Sequence, residues 1–168
     1  PSLVGSEMCI RDRVYLRFGR LAVPRFNDPD TYKFEIGKGI ELAEGSDVTI
    51  VATGLMVNEA MIAKDMLKEE GISARVINIH TIKPIDKDII LKAAEETGAI
   101  VTAEEHSIIG GLGSAVTEVV CEGKPVPVVR VGVEDKFGGS GPAVEMLKIY
   151  GLCASNIVEK VKKAISMK

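Results

Sequence analysis

Two places in the chain hold residue types that could do chemistry. Glu105 and His106 are adjacent, and a carboxylate beside an imidazole can orient it and tune it as an acid–base group. The residues themselves favour a plainer reading, in which the pair satisfies backbone groups of a loop or meets a partner subunit. Arg17 ends a short apolar run, Val14-Tyr15-Leu16, where a guanidinium fork could grip a phosphate or a carboxylate. From the residues alone a surface ion pair is favoured there. The run Gly110-Gly111-Leu112-Gly113 is neither a dinucleotide-binding GxGxxG nor a P-loop, because no Lys-Ser/Thr follows to hold nucleotide phosphates. It reads as a tight strand-to-helix turn with close backbone packing. His80 reads as a capping or interface residue, and Lys83-Pro84-Ile85-Asp86 as a turn whose Asp86 caps a helix. Ser140, in Phe137-Gly138-Gly139-Ser140-Gly141, has no nucleophile-elbow context. The two histidines lie far apart in sequence, and Cys9, Cys121 and Cys153 lack metal-ligand spacing, so no metal site is expected. No complete catalytic constellation emerges from these residues.

The elements around them are easier to read. A chain of 168 residues fits roughly one domain, and 46% apolar residues without a tryptophan imply a core of Val, Ile, Leu and Ala. Val48–Ala52, Ala74–Ile79, Ala99–Ala103 and Val126–Val133 read as buried strands. Helix-period segments alternate with them: Val57–Glu70 before Gly71, Asp86 to Thr97 before Gly98, the glycine run to Cys121, a short helix to Tyr150, and Ser155 or Asn156 to Met167. This alternation predicts an α/β fold, a three-layer, mostly parallel sheet with helices on both faces. Residues 21–46, rich in Pro, Asp and Gly, read as a linker with one short strand around Tyr32–Ile36, and 47–168 as the main domain. Residues 1–13 (PSLVGSEMCIRDR) match no pattern that follows and read as a non-native leader. Ligands of open parallel sheets bind beyond the carboxyl ends of the strands. Thr53, Gly54, Glu105, His106, Gly110 and Gly111 should converge there near two helix N-termini, which makes them a candidate anion pocket.

Composition narrows the partners. Lys and Arg number 21 against 24 Asp and Glu, with no basic cluster, so a nucleic-acid partner is not expected. No apolar run approaches the roughly 18 residues of a membrane span, so no membrane is expected either. Three cysteines without a disulfide framework point to a reducing, cytoplasmic setting. The apolar content favours a homo-oligomer.

Five segments taken in order carry more information than any one of them: YLRFGR at 15–20, VTIVATG at 48–54, INIHTIKPID at 77–86, VTAEEHSIIGGLGSAVTE at 101–118, and VEDKFGGSG with LKIYGL in 133–152. Together they resemble the C-terminal part of the transketolase family, with the best likeness to the C-terminal subunit of split transketolases. The resemblance implies the fold of that family's C-terminal domain over 47–168, with 14–20 the last strand of an aminopyrimidine-binding domain. It implies a transferase moving a two-carbon ketol unit between sugar phosphates, as in the pentose phosphate pathway, with thiamine diphosphate and a divalent metal held by other domains and none on this chain. The implied partner is an N-terminal, diphosphate-binding transketolase subunit, and the chain alone should support assembly and be inactive. Arg17 matches the family arginine that grips the substrate phosphate, and Arg20 matches it less well. The family's cofactor-activating glutamate and substrate-handling histidines have no counterpart, and His80 and His106 do not take those roles. Two alternatives stand beside this reading: the docking domain of a 2-oxo acid dehydrogenase β subunit, and part of 1-deoxyxylulose-5-phosphate synthase.

Overall fold

The computed structural model describes residues 15–19 and 21–168. The expected leader at 1–13, with Val14 and Arg20, lies outside the described residues. Five strands form one sheet in the order β1-β3-β2-β4-β5. They are β1 (Ile40–Ala43), β2 (Val48–Ala52), β3 (Ala74–Asn78), β4 (Ile100–Ser107) and β5 (Val128–Val133). The pairs β2–β3, β2–β4 and β4–β5 are parallel, and β1 is an antiparallel edge strand on β3. Five helices accompany them: α1 (Met56–Glu69), α2 (Lys87–Thr97), α3 (Leu112–Glu122), α4 (Ala143–Ile149) and α5 (Ala154–Ile165).

The three-layer arrangement follows from β2. All five of its residues are buried, which an open sheet permits only when both faces are covered. Successive side chains alternate between faces, so Ile50 joins the core under α1 and α5, while Val51 joins the one under α2 and α3. On the first face Met56, Ala60 and Leu67 of α1 meet Ile157 and Val161 of α5 over Val76, Val101 and Val131. On the second, Ile90 and Ala94 of α2 meet Val116 and Val120 of α3 over Ile77 and Ile100. Each buried Ile or Leu contributes about 1.5–3 kcal/mol of transfer free energy, and small residues such as Ala60 and Ala94 let the helices lie close to the sheet.

Helix limits follow local chemistry where the sequence supplies it. Asp86 caps α2 by accepting from the Ile89 amide at 3.4 Å, and Gly98 ends the helix with φ 67°. Three expectations need correction. Tyr32–Ile36 is irregular, and the strand of that region is β1 at Ile40–Ala43, where the chain runs beside β3 and finds hydrogen-bond partners. Tyr15–Gly19 is likewise irregular here, and no strand among the described residues pairs with it. Finally, β4 does not stop at Ala103. It runs on to Ser107, so Glu104, Glu105 and His106 are strand residues rather than the loop after it.

Candidate functional site

The extension of β4 is irregular in a specific way. Ala103 faces Val131 and Ser107 faces Val133, so three residues of β4 stand against the single residue Gly132 of β5. The strand bulges over that glycine, where an added Cβ would come 2.9 Å from the His106 carbonyl oxygen. Bulges of this kind re-aim side chains at the ends of sheets. Glu104 faces α3, as plain alternation from Ile100 and Thr102 dictates, and the bulge leaves Glu105 and His106 at the rim.

Glu104 is 1% exposed, and its partners explain how a carboxylate is tolerated there. Oε2 accepts from the Leu112 amide at 2.7 Å and Oε1 from the Gly113 amide at 2.8 Å. The side chain therefore caps α3, whose own N-cap residue, Gly111, has no side chain to do so. The absence of a side chain at Gly111 is what lets the carboxylate sit there, since a Cβ would displace it. The glycine run is thus a close-packing device, as its sequence implies, but the group packed against it is an internal anion. Sequence reasoning passes over Glu104. The only signal is a carboxylate eight residues ahead of an uncapped helix.

A cavity of ≈ 430 Å³ opens at the carboxyl end of the sheet, lined by residues of the α1 and α5 face rather than by the Glu104 clamp. Arg17, Glu105, His106 and Ser107 line its polar side, and Leu55, Val133, Met146 and Leu147 its apolar side. An Arg17 guanidinium nitrogen donates to the Glu105 carbonyl at 3.0 Å, and the residue is otherwise exposed. The His106 ring nitrogen Nδ1 lies 3.0 Å from the Ser107 carbonyl oxygen, which satisfies local backbone as the plainer reading of the pair supposes. Tyr150 closes one side. Its hydroxyl accepts from the Gly139 amide at 2.5 Å and donates to the Phe137 carbonyl at 3.1 Å, fixing the glycine-rich loop on α4.

Of the six residues expected to form an anion pocket, two reach the lining of this cavity. Glu105 and His106 line the cavity, whereas Thr53, Gly54, Gly110 and Gly111 do not. The physical reason is that both helix starts are already satisfied. Glu104 takes the first amides of α3, and backbone turns onto Thr53 and Gly54 take those of Met56 and Val57 in α1. The Gly110 amide donates to Ser114 Oγ at 2.9 Å. His80 lies elsewhere, at the end of β3. Its Nδ1 is 2.8 Å from Thr81 Oγ1, its ring sits 4.7 Å from that of Phe34, and burial holds its pKa below the usual histidine value. The residues present do not suit a metal-bound diphosphate. Among the described residues no three His, Cys, Asp or Glu side chains gather as metal ligands, and the α3 start that could face an anion holds Glu104.

Comparison with known proteins agrees with the fold. Residues 37–157 match the family described as "Transketolase, C-terminal domain". The chain is 46% identical over 155 residues to a 6-deoxy-6-sulfo-D-fructose transketolase subunit of Clostridium sp., covering 92% of this chain and 48% of that protein. It is 46% identical over 154 residues to an apulose-4-phosphate transketolase subunit of Phocaeicola vulgatus, covering 89% of this chain and 49% of that one. A solved split-gene transketolase, described as an inactive beta4 tetramer, superposes with a TM-score of 0.94 at 51% identity, over 99% of this chain and 54% of its own. The chain thus spans about half the length of these three relatives. A sheet of this order, the AEEH bulge closed on its glycine run and a match over most of the chain lead to one conclusion: this chain belongs to the transketolase C-terminal domain family.

Proposed function

We propose that this chain is the C-terminal portion of a subunit of a split transketolase, a thiamine diphosphate-dependent transferase that moves two-carbon ketol units between sugar phosphates. The observation that carries the reading is one of coverage. Over 92% of its length the chain matches about half of a transketolase subunit, a share that suits one domain with the tail of the domain before it. In this reading residues 14–20 end an aminopyrimidine-binding domain, 21–46 link it to the rest, and 47–168 form the third domain. The cofactor and its divalent metal belong to a companion N-terminal subunit and to the upstream domain. The residues described above offer no cradle for them, and no step of the reaction is assigned to this chain.

The contribution of this chain is binding and assembly. Arg17 stands at the rim of the cavity with one nitrogen tied to the Glu105 carbonyl, leaving its other donors to grip a sugar phosphate in a bidentate fork. A phosphate held there would orient the sugar without touching the reacting carbon. Self-association is supported by apolar side chains on the outside of α4 and its loop, among them Phe137 and Ile149. The setting we propose is a reducing cytoplasm, in keeping with the free thiols of Cys121 and Cys153.

The test is a ketol-transfer assay of the purified chain, alone and as part of its whole subunit mixed with a diphosphate-binding companion. We expect no transfer from the chain alone and transfer from the reconstituted pair. Transfer by the chain alone would overturn the reading.

A further inference from the structure

We propose that Glu104 is a positioning residue for the phosphate grip of Arg17, acting through the main chain of β4. The inference rests on the reading of Arg17 given above. Glu104 and the Arg17 anchor are adjacent along the strand. The Glu104 carboxylate is bound to the Leu112 and Gly113 amides, and the carbonyl of the next residue, Glu105, receives the Arg17 guanidinium at 3.0 Å. Both residues belong to the bulge, three residues over one, which the β4–β5 ladder alone does not hold in place. Regular pairing resumes only at Ser107 and at the Ile108 amide, which donates to the Val133 carbonyl at 3.0 Å. The conformation of the bulge, and with it the direction of the Glu105 carbonyl, is fixed from inside by the two bonds of Glu104 to α3.

An arginine side chain has many rotamers, and holding one of them for a phosphate costs conformational entropy. A carbonyl tether on one nitrogen removes much of that cost in advance, leaving the remaining donors arranged for a second, bidentate partner. The tether does so only if the carbonyl itself is fixed. A local cap for α3 would leave the bulge free to shift. The sequence instead places Gly111 at the N-cap and draws the cap from the strand, coupling the helix to the rim of the cavity. The third domain then sets the aim of a substrate-binding arginine as well as supporting assembly.

The test uses the assembled enzyme, the complete subunit containing this chain with its companion and cofactor, and two donors that differ only in the phosphate, fructose 6-phosphate and fructose. The readout is the ratio of kcat/KM for the two. Glu104→Gln turns an NH2 group toward one of the two amide hydrogens. Gly111→Ala displaces the carboxylate without removing it, at a backbone conformation alanine accepts. Each should lower the ratio about tenfold, the value of one charge-assisted hydrogen bond. Arg17→Ala should lower it at least as far, and Glu104→Gln added to Arg17→Ala should lower it no further. If Arg17→Ala lowers the ratio while both other variants slow the two donors equally, the inference fails and the reading of Arg17 stands. The inference fails in the same way if neither variant folds, since the role of Glu104 is then stability alone. If Arg17→Ala leaves the ratio unchanged, the reading of Arg17 fails and takes the inference with it.

Discussion

Two turns at the carboxyl end of the sheet solve the same problem by opposite routes. The β3–α2 turn and the β4–α3 turn each lead from a buried strand into a helix whose first amides need an acceptor. In the first, Asp86 stands at the N-cap and reaches the Ile89 amide three residues on. It also accepts from the Gly39 amide at 3.0 Å and lies 3.8 Å from Lys38 Nζ, which pins the end of the linker. In the second, the acceptor is Glu104, fully buried and eight residues upstream, reaching α3 across the space that Gly111 leaves. The local cap is buried too, with Asp86 7% exposed, but its bonds to the Ile89 and Gly39 amides are only part-buried and lie beside the exposed side chain of Lys38, so water has a route to the amides that its loss would free. The distant cap is sealed inside, so its loss leaves donors that nothing else can reach.

The largest difference should therefore appear on deletion of the two carboxylates. Glu104→Ala leaves two buried amides unpaired and should cost about 3 kcal/mol, read from urea unfolding midpoints at constant slope. Asp86→Ala should cost about 1–1.5 kcal/mol in the same experiment. Equal losses would abolish the distinction between a sealed cap and an open one.

Next comes the bulge itself. Gly132→Ala brings a methyl group 2.9 Å from the His106 carbonyl and 2.9 Å from Ile108 Cγ2, so the bulge must shift. We expect about 1–2 kcal/mol of destabilisation and faster amide exchange over residues 104–114, with the β3–α2 turn unaffected. Exchange that quickens in both turns would mean that they are one cooperative unit.

Asparagine sharpens the comparison further. Asp86→Asn keeps a good N-cap and should cost less than about 0.5 kcal/mol, whereas Glu104→Gln, with an NH2 group facing an amide, should cost at least about 1 kcal/mol. A tolerated Gln at Glu104 would show that charge and geometry there matter less than burial.

The smallest effect belongs to His80, beside the β3–α2 turn. Burial lowers its pKa in the folded chain below the value of 6.5 that applies when it is exposed. The unfolded chain then binds the proton more readily, so the contribution of neutral His80 is complete above pH 6.5 and is lost as pH falls below it. His80→Phe should flatten the slope of melting temperature against pH in that acid window. An unchanged slope would assign the dependence to other groups.

Much of this molecule is legible in its residues. The apolar β-branched run at Val48–Ala52 can only be a strand covered on both faces, and Asp86 with Gly98 marks both ends of α2, because such signals act within a few residues of each other. The candidate site is legible only in part. Arg17, Glu105 and His106 stand out by residue type and do share a cavity. Thr53, Gly54, Gly110 and Gly111 group with them on paper because all stand near strand ends, but position along a strand does not say which helix amides are already taken. The strand expected at Tyr32–Ile36 forms at Ile40–Ala43 because an edge strand forms where a neighbour offers partners, and the neighbour, β3, is more than thirty residues away in sequence.

By itself the sequence determined the alternation of strands and helices, the two-faced core and the family likeness, all of which rest on periodicity and local signals. Tertiary structure alone decided that β4 runs past Ala103, that Glu104 rather than any pocket ligand serves α3, and that the Glu105 carbonyl meets Arg17. These outcomes depend on Gly132 facing the bulge and on a carboxylate finding amides eight residues ahead. Hydrogen bonds between distant groups are satisfied only once the sheet has brought them together, and no local pattern specifies them.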